Sequence, residues 1–157
     1  MKKVTSLLML LLALLTGCVT QVSRVTTTAS GKPEVTIATS DVGRIKSMII
    51  GDMVNYGYTV ETDTAYSLSL SRKMKDMEQF ATALSIGNAY SSNSRLSNYT
   101  FVRDGNTTRV IFSGMLRAQL PGGQINTLPL DDNNFLFNEI INQLNEIKTK
   151  IETAPSL

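Results

Sequence analysis

The chain predicts an α+β domain: an antiparallel sheet of two hairpins plus a short N-terminal strand, with helices packed on one face, in the order β-α-β-β-α-β-β-α. Three observations carry this expectation. Tyr66-Ser67-Leu68-Ser69-Leu70-Ser71 alternates apolar and polar residues without a break, the period of a sheet with one buried and one wet face. Near the end, Phe137, Ile140, Ile141, Leu144, Ile147 and Ile151 recur at helical spacing. Strand pairs with hairpin signals sit beside the helical stretches, which argues against parallel βαβ winding.

The elements follow in order. Val35-Thr36-Ile37-Ala38-Thr39 reads as a short strand. Ser40 and Asp41 offer an N-cap to a helix whose apolar face is Val42, Ile45, Ile49, Met53 and Tyr56. Gly57 stops it. Gly43, Ser47 and Gly51 form a narrow strip beside that face. Interior glycines cost about 1 kcal/mol each against alanine, so the strip is expected to let a strand or helix pack closely, with a partner groove as the alternative. Tyr58 to Thr62 reads as a strand and Asp63-Thr64 as a turn into the Tyr66–Ser71 strand. From Met74 the period becomes helical through Met77, Ala81 and Leu84, ending near Gly87-Asn88.

Residues 88–98 (NAYSSNSRLSN) read as a polar loop. Tyr99 to Arg103 alternates again, Asp104-Gly105 signals a hairpin turn that Asn106 extends, and Thr107 to Gln119 is the long returning strand. Gly114 marks a bulge or a close backbone approach within it. Pro121-Gly122-Gly123 ends the strand, and a loop through Pro129 leads to Asp131-Asp132 at the start of the last helix. Glu146 and Lys150 are spaced as an i,i+4 pair on its wet side.

Composition narrows the chemistry. The 157 residues include no histidine, no tryptophan and one cysteine. The commonest general base and metal ligand is therefore missing, and Ser-His-Asp and Cys-His catalysis with it. Asp131-Asp132, with Asn133 and Asn134, supplies oxygen atoms for calcium but not the spacing of an EF-hand, so a helix cap is the better reading. Ser71 and Lys73 have an S-x-K spacing that fits no serine–lysine mechanism. Gly122-Gly123 lacks the lysine of a phosphate loop. No catalytic residue, metal ligand or cofactor site is assigned. Met48, Met53, Met74, Met77 and Met115 read mainly as core. Tyr56, Tyr58, Tyr66, Tyr90 and Tyr99 suit partner contacts better. Tyr90 is the preferred partner-binding residue, because it opens the polar loop.

The first eighteen residues point to location. Lys2 and Lys3 precede an uncharged run from Leu7 to Leu15, then Leu15-Thr16-Gly17-Cys18. A basic start, a short apolar middle and small residues at the end make an export signal, too short to span about 30 Å of hydrocarbon. Leu15-Thr16-Gly17-Cys18 resembles the lipobox of bacterial lipoprotein precursors at all four positions. That resemblance implies diacylglyceryl transfer to the Cys18 thiol, cleavage before Cys18 and acylation of the new amino terminus. Several acyl chains on one residue hold a protein on a bilayer stably, at about 0.8 kcal/mol per buried methylene. In enteric-type sorting, an aspartate after the lipidated cysteine retains a lipoprotein in the inner membrane. Val19 stands there, which implies transfer to the outer membrane.

The expected organisation is then a signal peptide at 1–17, the lipidated cysteine and a flexible tether at 18–34, one periplasmic domain at 35–152 and a tail at 153–157. As a flexible chain the tether spans roughly 20–25 Å. Lys2 and Lys3 leave with the signal, so fifteen basic residues become thirteen, against thirteen acidic. A formally neutral mature chain gives no reason to expect nucleic acid as a partner. The span from Val42 to Arg72, with Gly57-Tyr58-Thr59-Val60 after the first helix, resembles the small β-α-β-β domains of envelope lipoproteins, including accessory lipoproteins of outer-membrane barrel assembly.

The leading expectation is a non-enzymatic outer-membrane lipoprotein. It binds or assembles an envelope complex, touching the membrane through Cys18 and an envelope protein through a sheet edge or the Tyr90 loop. A carrier of an apolar ligand such as a lipid, or an exclusion or immunity lipoprotein of phage or plasmid type, are the alternatives.

Overall fold

A computed structural model describes residues 23–24, 27–75, 92–119, 122–130 and 134–153. The signal segment, Cys18, the expected second helix beyond Lys75, Tyr90 and Asp131-Asp132 lie outside the described residues.

The fold is α+β, as the alternating and helical periods predict. Strand β1 (Glu34–Ile37) leads to helix α1 (Val42–Asn55). Strands β2 (Thr59–Asp63) and β3 (Ser67–Lys73) form the first hairpin, and β4 (Ser92–Asp104) and β5 (Thr107–Gln119) the second. Strand β6 (Ile125–Pro129) and helix α2 (Asn134–Thr153) follow. The six strands make one antiparallel sheet in the order β1-β5-β4-β3-β2, and β6 also pairs with β5. Strands β1 and β6 lie end to end along the same edge of β5, β1 against residues 108–111 and β6 against 115–119.

Two loops of the sequence reading are strands in the structure. Residues 92–98, expected as loop, are the first half of β4 and pair with β5 from Ser92↔Gln119 onward. Residues 125–129, expected as a loop through Pro129, are β6. Proline is tolerated there because β6 is short and at an edge. The long hairpin turns on Gly105-Asn106, one residue later than the Asp-Gly signal suggested. Gly105 has φ +54° and no non-glycine residue has positive φ among those described, the pattern of a turn that needs glycine only at its first central position.

Gly114 is a close approach and not a bulge. The β4–β5 register runs unbroken past it, and a Cβ there would lie 3.1 Å from the Phe112 ring. The register shift in the sheet falls instead between Val60 and Thr62 of edge strand β2, where a bulge blunts further strand pairing.

Both helices pack on one face. Ile45 and Ile49 of α1, with Leu144, Ile147 and Ile151 of α2, share a core with Val35, Ile37, Leu68, Leu70, Tyr99, Phe101, Val110 and Phe112 from the sheet. Burying a side chain of this size contributes about 1.5–3 kcal/mol. Asp41 caps α1 by accepting from the Arg44 N–H at 2.9 Å. The Gly43, Ser47, Gly51 strip, expected to permit close packing, is exposed. A Cβ on Gly51 would meet nothing within 4 Å. The opposite sheet face carries Ser67, Ser69, Ser71, Asn98 and Ser113. Leu96 is its buried exception, flanked in register by Ser71 and Met115. Arg117 of β5 reaches Glu61 of β2 at 3.1 Å across the two intervening strands.

Candidate functional site

The site is a cleft between the end of α1 and the middle of α2. It forms because α1 ends sharply. The Gly57 N–H donates to Val54 O at 2.9 Å and the Tyr58 N–H to Met53 O at 3.2 Å, with Gly57 at φ +80°. This is the Schellman pair of bonds, which asks for a residue without a Cβ at that point. The turn sends Tyr58 back toward the sheet. Tyr56 is left at the lip, 66% exposed, where the helical spacing had placed it on the buried face.

The cleft has a volume of about 170 Å³. An apolar cavity of about 150 Å³ accepts benzene, so the space suits one aromatic or branched side chain. Met53, Ile140, Leu144 and Ile147 give it apolar walls, and Tyr99 lines it from the sheet. Asp52, Gln143, Glu146 and Lys150 give it a polar rim. Lys150 bonds Asp52 across the cleft at 3.1 Å and not Glu146, the i,i+4 partner expected from spacing. Val54 and Val60 are also exposed close by in sequence.

Tyr99 is the buried polar member. Its ring meets Phe112 edge to face with centroids 5.3 Å apart, a preferred aromatic geometry. Burial pushes its phenol well above the ordinary value, with Tyr58 and Asp52 adding in the same direction. Its hydroxyl makes no hydrogen bond among the described residues.

Two of the five tyrosines singled out from sequence, Tyr56 and Tyr99, meet at this cleft. Tyr58 stacks near Arg72, its ring 5.6 Å from the guanidinium carbon, and Tyr66 is exposed in the β2–β3 turn. Cys18 and Tyr90, the lipidation and partner residues assigned from sequence, lie outside the described residues. Ser71 and Lys73 share the open sheet face at the end of β3.

Asp52, Gln143 and Lys150 were missed because each stands on the polar side of its helix, and only the meeting of two helices makes them neighbours. Lys46 was missed although spacing shows it. It lies four residues after Val42 and three before Ile49, on the buried face. Its ammonium bonds Asp63 at 2.5 Å and the carbonyl of Thr64.

Among the described residues, no group of three or more Cys, Asp or Glu is placed to hold a metal, and no helix is long and apolar enough to cross a membrane. No family model, curated protein or solved structure matches the chain.

Proposed function

We propose that this chain is a lipid-anchored protein of the bacterial envelope, on the periplasmic face of the outer membrane, that acts by binding another envelope protein. The anchor reading rests on Leu15-Thr16-Gly17-Cys18 behind the basic, apolar start. The observation that carries the binding reading is the cleft: open, apolar-walled, polar-rimmed, and fitted with Tyr56 at its lip and Tyr99 inside. Binding energy at protein interfaces concentrates in a few aromatic or apolar anchors seated in pockets of this kind. The partner inserts one such side chain, and the Tyr99 hydroxyl offers it a hydrogen bond. Pockets for whole lipids or cofactors start near roughly 300 Å³, above the size of this cleft. The absence of histidine favours binding over turnover.

A photoreactive amino acid at Gln143, on the rim, tests this in the intact envelope. It should crosslink one protein, and Tyr56→Ala should weaken that crosslink. The same probe at Thr107, at the far hairpin turn, should give none. Equal crosslinking from both positions would remove the cleft as the docking surface.

A further inference from the structure

The cleft carries an uneven charge. Helix α1 has no basic residue in its last turn, and Asp52 stands there instead. A helix C-terminus already holds partial negative charge and is ordinarily matched by a cation. Lys150 of α2 answers Asp52 at 3.1 Å. That bond takes Lys150 away from Glu146, its i,i+4 neighbour. The Glu146 carboxylate is exposed on the rim and has no hydrogen bond or ion pair among the described residues. Among the described residues that line the cleft, Lys150 is the one cation, set against two carboxylates and the end of α1.

The negative potential reaches the interior. Burial does most to raise the Tyr99 phenol, and Tyr58 and Asp52 raise it further. Tyr56 adds an exposed aromatic ring at the lip, and a cation within about 6 Å of the centre of such a ring is attracted to its face. A wholly apolar partner would cover Glu146 without supplying a counter-charge, and taking an unpaired carboxylate out of water is costly.

We infer that the segment docking in the cleft is basic: an aromatic or branched apolar side chain fills the space between Met53 and Leu144, and an arginine or lysine next to it meets Glu146 and Tyr56. This rests on the cleft being the docking surface. Arginine suits both contacts best, because its planar fork matches a carboxylate and its face stacks on an aromatic ring. Its charge also complements the end of α1. The rim is open to solvent, so the cation contributes selectivity and speed of encounter more than raw affinity.

The test is a nuclear magnetic resonance titration of the full chain in detergent, with isotope-labelled tyrosine rings. The probes are three acetylated dipeptide amides, Phe-Arg, Phe-Gln and Phe-Glu. The Tyr56 and Tyr99 ring signals should shift with Phe-Arg. At low salt Phe-Arg should bind about two- to fivefold tighter than Phe-Gln, the range of an exposed ion pair, and Phe-Glu should be weakest. The preference should narrow at about 0.5 M salt. Glu146→Gln should bring Phe-Arg down to the level of Phe-Gln. Equal affinity for the three dipeptides, with the Tyr99 signal still shifting, overturns the basic segment and leaves the cleft reading standing. A Phe-Arg preference that survives Glu146→Gln also overturns it. No shift at Tyr56 or Tyr99 with any dipeptide overturns the cleft and the basic segment together.

Discussion

Lys46 and Tyr99 are two of the residues at which the core departs from apolar packing, and each departure is measurable. Lys46 is buried, yet its ammonium must stay hydrated by protein: Asp63 and the Thr64 carbonyl do that. Removing the partner leaves the charge behind. Asp63→Ala should therefore cost about 1.5–3 kcal/mol, toward the lower end because Asp63 is half exposed. Lys46→Met keeps the apolar stem and removes the charge, so it should cost less. Urea midpoints of the two variants check the order, and the reverse order would place the ammonium in water. At Tyr99, burial raises the phenol above its ordinary value of about 10. Above that pH the unfolded chain loses a proton that the folded chain keeps. The contribution is complete below about pH 10 and is lost as pH rises toward the raised value. Unfolding free energy should thus fall more steeply on the alkaline side in the unmodified chain than in Tyr99→Phe. Parallel curves would mean that the phenol titrates freely.

Helix α2 shows what an element owes to its own pattern. Phe137, Ile141, Leu144, Ile147 and Ile151 are all buried, at the spacing that predicted the helix. Leu144→Ala should cost about 2–5 kcal/mol, since it removes buried methylenes and leaves a cavity. Chemical denaturation reads this, and a loss far below the range would take Leu144 out of the core. The same legibility holds for β3, where Leu68 and Leu70 face in and serines face out. It fails at the start of β4, and the reason is physical. The inward positions there are Asn93, Arg95 and Ser97, so no apolar alternation exists to read. Their strand is held by pairing with β5, a tertiary effect that overrides local propensity. Strand β6 was hidden by Pro129 and the glycines before it. The cleft was legible only in part: its tyrosines stood out by type, but their meeting depends on how α1 and α2 pack, which no local pattern encodes.

For the whole molecule, the proposed anchor makes the plainest prediction. Cys18→Ser should abolish incorporation of labelled palmitate and leave an uncleaved or soluble form. Palmitate labelling that persists in that variant would refute lipidation at Cys18. Attachment would also govern posture, because the domain holds on to its own leader. The Asn138 side chain donates to the Ser23 carbonyl at 2.8 Å, Arg24 donates to the Asn134 side chain at 3.0 Å, and its guanidinium lies 4.4 Å from the centre of the Phe137 ring. These contacts moor the leader at the first turn of α2, inside the stretch that composition suggested would be a loose tether. From Cys18 to Ser23 the chain spans at most about 18 Å fully extended. If Cys18 carries the lipid, the protein would pivot on a short strap that keeps the start of α2 near the bilayer. Whatever enters the cleft would have to be presented close to the membrane surface.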